Sequence, residues 1–220
     1  MSGATKSEVR RTVRAARRER RAAGMSLPDE GRRIADAVLS HLDADVEARA
    51  AGWGTPGATV AAFRSTPSEP DTSVLLAELI TRGVRVLVPR TRPDMSLDWH
   101  ELHRAGSTAP APTATADATA PELPGQDDVD DEGPALGLDA VADITAMILP
   151  GIAVDTAGHR LGQGGGCYDR TLPRLRPGTV QAVLLFDDEI LDAVPRDAHD
   201  HRVSAVVTPL GGWRRLGAGG

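Results

Sequence analysis

The chain reads as an α/β protein, a three-layer α/β/α arrangement around a mostly parallel, Rossmann-like sheet. Three observations carry that reading. Short apolar runs recur at residues 59–63, 84–90, 146–149, 179–186 and 205–209, with segments of helical spacing between them. Strands alternating with helices imply crossover connections and parallel pairing. These runs are continuous, as buried strands are. Finally, the densest glycine cluster follows directly on the 147–154 run, so a strand feeds a tight loop with a helix start behind it. Open α/β sheets commonly build anion sites that way.

Composition sets the limits. With 220 residues the chain supports one sizeable core, and a single domain over 1–220 is expected. Six aromatic residues (two Phe, three Trp, one Tyr) leave the core to Val, Ile, Leu and Ala. A net charge of -6 argues against a general nucleic-acid binder. The single cysteine excludes an intrachain disulfide and a Cys-cluster zinc site, and suits a reducing cytoplasm, the expected location. No apolar run approaches the roughly 20 residues that span a bilayer. No secretory-type apolar segment follows the charged start, although an Arg-rich start can imitate a transit peptide. The expectation is a monomer acting on small molecules, with no nucleic-acid or membrane partner.

Taken in order, residues 6–23 are Ala-rich, lack Pro and Gly, and carry Lys6, Arg10, Arg11, Arg14, Arg17, Arg18, Arg20 and Arg21. This predicts a basic helix. Lys6, Arg10 and Arg14 share one side at i, i+4 and i+8, while Val9, Val13 and Ala16 form a thin apolar stripe. Most of these arginines read as a solvated face; Lys6 and Arg10 are the aligned pair expected to meet an anion. Gly24 ends the helix. A second helix starts with Ser26 as N-cap and runs to about Leu42, with Ile34, Ala37, Val38 and Leu42 inward. Residues 65–72 form a loop at the C-terminal end of the 59–63 strand, where ligands of open sheets sit. A helix over 74–82, capped by Asp71 or Thr72 and stopped by Gly83, leads to the 84–90 strand. Alternation over 97–102 predicts an exposed or edge strand. From 105 to about 134, Ala, Thr and Pro give way to five acids in residues 127–132, too polar to offset its ordering entropy. This segment is expected to be a mobile insertion. Beyond it come the 146–149 strand, the glycine loop, a helix beginning at Asp169, and strands at 179–186 and 205–209.

The loop itself runs Arg160-Leu161-Gly162-Gln163-Gly164-Gly165-Gly166-Cys167-Tyr168-Asp169-Arg170. Glycines permit positive φ, so successive N–H groups can converge on an anion. The spacing is neither a Walker motif nor a dinucleotide fingerprint, and a purely structural turn is the alternative. The flanking chemistry favours function. Phosphoryl transfer needs donors for phosphate oxygens, cations for developing charge and carboxylates for Mg²⁺. Asp169 and Asp200 are the candidate metal carboxylates. Cys167 as a nucleophile is disfavoured, because its nearest histidines in sequence are the distant His159 and His199.

The run from Leu149 to Asp155, followed by Gly158 to Arg170, closely resembles the signature of the 5-formyltetrahydrofolate cyclo-ligase family, also called methenyltetrahydrofolate synthetases. Lys6-x-x-x-Arg10, Glu69-Pro70-Asp71-Thr72 and Pro195…His199-Asp200…Val206-Val207-Thr208-Pro209 fit the same family in the same order. The resemblance implies an enzyme using ATP and Mg²⁺ to convert 5-formyltetrahydrofolate into 5,10-methenyltetrahydrofolate. Carried over by position, Lys6, Arg10 and the loop from Arg160 to Tyr168 (Arg160, Leu161, Gly162, Gln163, Gly164, Gly165, Gly166, Cys167, Tyr168) bind ATP, and Asp169 and Asp200 hold Mg²⁺. Glu69 and Met95 contact the folate, Gln163 to Cys167 face both substrates, and Tyr168 and Arg160 are the catalytic candidates. Three positions depart from the pattern. Cys167 stands where an aromatic residue is common, Gln163 where an aromatic or basic one is, and Ser204 where Asp is frequent. The insertion also exceeds the short loop usual there. The competing readings are a diverged member acting on, or only binding, another small substrate, and a nucleic-acid module built on the basic helix.

Overall fold

The computed structural model describes residues 4–24, 29–44, 55–103, 132–197 and 200–217. Helix α1 (Lys6–Ala22) starts at a capping box, in which Thr5 Oγ1 accepts the Glu8 N–H (3.2 Å) and Glu8 Oε2 accepts the Thr5 N–H (2.8 Å). Next come α2 (Glu30–Ala44), β1 (Thr59–Ala61), α3 (Ser73–Thr81), β2 (Arg85–Thr91), β3 (Leu97–Leu102) and β4 (Glu132–Ala135). A 3₁₀ turn at Leu138–Val141 leads to β5 (Ala146–Pro150), β6 (Ala153–Asp155), β7 (Arg160–Leu161) and the short α4 (Cys167–Thr171). The chain ends through β8 (Val180–Leu184), β9 (Ile190–Leu191), β10 (Ala205–Thr208) and β11 (Gly212–Arg215). The expected N-cap Ser26 lies outside the described residues, as does His199.

The main sheet has eight strands in the order β11-β10-β8-β5-β1-β2-β3-β4. Pairing is parallel from β10 through β8, β5 and β1 to β2, and antiparallel at both flanks. Side chains alternate across the sheet. Ile148 therefore packs with Ile34, Val38, Leu75 and Leu79 of α2 and α3, while Met147 and Leu149 face the opposite layer with Val154 and Leu172. Burial on both faces explains the continuous apolar runs. The opposite layer is not simply helical. It contains a small sheet, β7-β6-β9, on which α1 lays Val9 and Val13 against Ile152, Ala153 and Leu161. No helix among the described residues is long and apolar enough to cross a membrane.

Four expectations need correction. Strand β3 is neither exposed nor an edge: β4 pairs outside it and Trp99 is fully buried. The insertion stops short of residue 134, because 132–135 form β4; residues 104–131 lie outside the described part. Strand 205–208 is not the last, since β11 returns antiparallel beside it with Trp213 opposite Val207. The 147–154 run is two strands in different sheets, broken at Pro150-Gly151. Of the proposed caps for α3, Asp71 serves, accepting the Ser73 N–H (2.9 Å), whereas Thr72 makes no cap bond and donates to the Phe63 carbonyl.

What holds α1 down is polar. Arg17 and Glu189, each 3% exposed, form a two-pronged pair (Nε to Oε1 2.6 Å, Nη2 to Oε2 2.7 Å), and Arg17 Nη2 also donates to the Gly151 carbonyl. Arg17→Met strands the Glu189 carboxylate, so urea denaturation should show a loss of about 3–5 kcal/mol. The double variant Arg17→Met/Glu189→Gln should recover much of it. Because Leu102 faces Glu132 across the β3–β4 ladder, a short turn can replace residues 104–131. That variant should fold and melt within a few degrees of the full chain in circular dichroism.

Candidate functional site

A cavity of about 600 Å³ opens over the C-terminal ends of β1, β2 and β5. Phe63 and Arg64 leave β1, Pro89 and Thr91 close β2, and Pro150 closes β5; all five line it. From β1 the sheet grows to β2 on one side and β5 on the other. That divergence makes a topological switch point, where loops part and leave a crevice.

The glycine loop leaves β7 and enters α4 along one wall. Gly164 (φ 111°) and Gly166 (φ 67°) adopt left-handed backbone that side chains resist. At Gly165 a Cβ would fall 2.4 Å from Met95 Cε, so the loop and Met95 close on each other across the cavity. Met95 is 38% exposed and lines the cavity, hence a wall residue rather than core.

Helix α1 brings its cations to this wall. Lys6 Nζ donates to Asp200 Oδ2 (2.5 Å) and Asp197 Oδ2 (2.7 Å). Burial opposes its charge, but bonds to the two carboxylates outweigh it and raise its pKa above the ordinary lysine value. Arg10 Nε donates to the Gly162 carbonyl (2.9 Å), and Arg14 Nη2 to the Gln163 carbonyl (2.8 Å) and Oε1 (2.9 Å). From the opposite side, Arg160 reaches the Pro150 carbonyl and Asp169 Oδ1, both at 3.1 Å, with its guanidinium 5.7 Å from the Tyr168 ring centroid.

Two candidate groups are held protonated. Burial pushes the Tyr168 hydroxyl far up, with Arg160 opposing and Glu69 adding, so Tyr168 remains a neutral phenol, able to donate and no base. Burial likewise raises the Cys167 thiol, which removes the nucleophile reading. Glu69 stands on the 65–72 loop, where Thr66 N–H (2.9 Å) and Oγ1 (3.0 Å) donate to its Oε2, while Gln163 Nε2 lies 3.5 Å from Oε1. One carboxylate oxygen is thus tied to its own loop and the other turned toward the glycine wall.

Every residue expected at the site lines this one cavity: Lys6, Arg10, Glu69, Met95, Arg160, Leu161, Gly162, Gln163, Gly164, Gly165, Gly166, Cys167, Tyr168, Asp169 and Asp200. Asp169 and Asp200 sit in its wall, each facing a cation. Among the described residues no group of three or more His, Cys, Asp or Glu side chains is arranged to hold a metal by itself. One or two carboxylates completed by phosphate oxygens and water is a donor set Mg²⁺ accepts, so the residues fit that ion. Sequence reasoning missed Asp197 and the contact of Arg14. The four-residue spacing put Arg14 in line with Lys6 and Arg10 but assigned it no contact; nothing in the pattern marks Asp197.

A sequence profile of the 5-formyltetrahydrofolate cyclo-ligase family matches residues 2–209. The 5-formyltetrahydrofolate cyclo-ligase of Mycolicibacterium smegmatis is 32% identical over 166 residues, 73% of this chain and 78% of its own. That of Escherichia coli K12 is 32% identical over 161 residues, 70% of this chain and 80% of its own. The solved structure of Aquifex aeolicus 5,10-methenyltetrahydrofolate synthetase superposes with a TM-score of 0.62 at 25% identity, covering 98% of this chain and 94% of that one. The match runs through the glycine loop, the cationic helix and the carboxylate segment alike, and the chain belongs to the 5-formyltetrahydrofolate cyclo-ligase family of ligases.

Proposed function

We propose that the chain uses ATP with Mg²⁺ to close 5-formyltetrahydrofolate into 5,10-methenyltetrahydrofolate, releasing ADP and phosphate. One observation carries the reading. A left-handed glycine loop flanked by Lys6, Arg10 and Arg160 shares a single cavity with Glu69 and Met95 on the facing side. At about 600 Å³ the space is of the size that holds drug-sized ligands, roughly 300–1,000 Å³.

The chemistry explains the nucleotide. A formamide oxygen is a poor leaving group. Transfer of the γ-phosphoryl group to it makes the formyl carbon an electrophile that N10 of the same folate attacks. N10 loses its proton as the ring closes, and the C–O bond breaks with departure of phosphate. The protein supplies alignment and charge neutralisation. Lys6 and Arg10 bind phosphate oxygens with the loop N–H groups, and Arg160 meets charge developing on the transferred group. Mg²⁺ held by Asp169 and Asp200 would offset further phosphate charge. Tyr168, a neutral donor beside Arg160, orients the formyl oxygen. Glu69 accepts from the pterin N–H groups, and Met95 packs on the ring. Gln163, between Arg14 and Glu69, joins the two halves of the site. The proposed enzyme is monomeric and cytoplasmic; the lone cysteine suits a reducing cytoplasm.

The test incubates the protein with 5-formyltetrahydrofolate and MgATP and follows methenyl absorbance in the near ultraviolet. A rise that requires both substrates is expected, and none from well-folded protein would sink the reading. Lys6→Ala should raise KM for ATP about tenfold, the worth of one charge-assisted hydrogen bond, with KM for the folate little changed. Unchanged kinetics would return Lys6 to a structural role.

A further inference from the structure

Strand β6 ends on Asp155, a residue 5% exposed that does not line the cavity. Four donors converge on its carboxylate. The N–H groups of Ala157 and His159 reach Oδ1 at 3.0 Å each, the Val194 N–H reaches Oδ2 at 3.2 Å, and His159 Nδ1 lies 2.9 Å from Oδ2. Burial alone would favour the protonated acid. The bonds from His159 and Val194 outweigh it and hold the carboxyl below its ordinary range. An ionised carboxylate only accepts, so His159 carries its proton on Nδ1.

These partners lead to both halves of the charged wall. Arg160 follows His159 directly. Val194 leads to Asp197, and the same turn holds the residues that follow Asp200. Arg202 bridges to His159, and the Val203 N–H donates to the Gly158 carbonyl (2.9 Å). Gly158 has φ 87°, and a Cβ there would stand 2.4 Å from the Val203 carbonyl oxygen, so the approach needs glycine. One carboxylate outside the cavity is thereby bonded to residues that adjoin both Arg160 and the Asp197 and Asp200 stretches.

We propose that Asp155 is a positioning residue of the ligase, holding the Asp197 and Asp200 stretches through Val194 and His159 so that Asp200 stands ready for MgATP. This rests on the nucleotide reading above. Asp155→Asn keeps the shape but presents one acceptor oxygen and an NH₂ group to donors that met two oxygens. It should weaken MgADP binding in calorimetry and raise the half-saturating Mg²⁺ concentration, each about tenfold, as losing a support behind a metal ligand does. KM for the folate should stay within about twofold, and amide exchange over 200–203 should quicken without ligand. His159→Leu should move the same quantities the same way but less, and His159→Asn, whose amide can donate near Nδ1, should restore them. If Asp155→Asn does not fold, the His159 pair decides. MgADP affinity unchanged in folded variants, or folate and nucleotide affinities falling together, overturns the positioning role. Wild-type protein that binds no MgADP overturns the nucleotide reading and this inference with it.

Discussion

The buried pair of Arg17 and Glu189 is the constraint on which the site depends. Helix α1 is mostly polar, and among its apolar side chains only Val9 and Val13 are buried. Burying a valine is worth about 1.5–3 kcal/mol, and ordering a helix of 17 residues costs far more. The remaining grip comes from guanidinium groups on fixed acceptors: Arg17 on Glu189 and Gly151, Arg10 on Gly162, Arg14 on Gln163. An ion pair taken out of water gains little net free energy, but it tolerates only one geometry. A loosely oriented helix would carry Lys6 and Arg10 away from the loop, and Arg17 prevents that. Arg20, stacked 4.1 Å above the Phe186 ring and paired with Asp188, extends the same grip by a turn.

The sheet supplies what this grip acts against. Strands β1, β2 and β5 end together at the switch point, and Pro150-Gly151 lets the chain leave the main sheet for the small one. A Cβ on Gly151 would stand 2.6 Å from Val183 Cγ2, so the two sheets meet there at a distance that excludes larger residues. The small sheet then serves three parts at once. It floors α1, delivers Arg160 from β7, and anchors the Asp197 and Asp200 stretches. Cations from the N-terminus and carboxylates from near the C-terminus become neighbours through two- and three-residue strands.

Much of this was legible in the sequence, and the gaps have physical causes. The five parallel strands announced themselves because burial on both faces makes their central positions apolar. Glycines marked the loop because positive φ leaves a compositional trace. Strand β4, Glu-Gly-Pro-Ala, has no apolar alternation; it forms because β3 offers an unpaired edge and because Glu132 meets Arg64 and Arg90. The small sheet escaped because strands of two or three residues are too short to show a period. Asp197 escaped for another reason. An acid on an irregular segment becomes a site residue only through the fold that brings Lys6 to it, and sequence spacing holds no record of a contact 191 residues apart.

Charge balance explains why such a cavity can stay polar without ligand. Lys6 lies against Asp197 and Asp200 and Arg160 against Asp169, so these two cations have anions within hydrogen-bond reach, while Arg10 rests on the Gly162 carbonyl. A polyphosphate and a divalent cation bring the same two signs from outside. On the proposed reading, binding would exchange partners: ammonium and guanidinium would turn from carboxylates to phosphate oxygens, and the carboxylates to the metal. The groups are oriented by one another when the protein folds, so the reorganisation left for the moment of reaction is small. Pairing the charges internally lets the wall hold cations and carboxylates side by side before any ligand arrives.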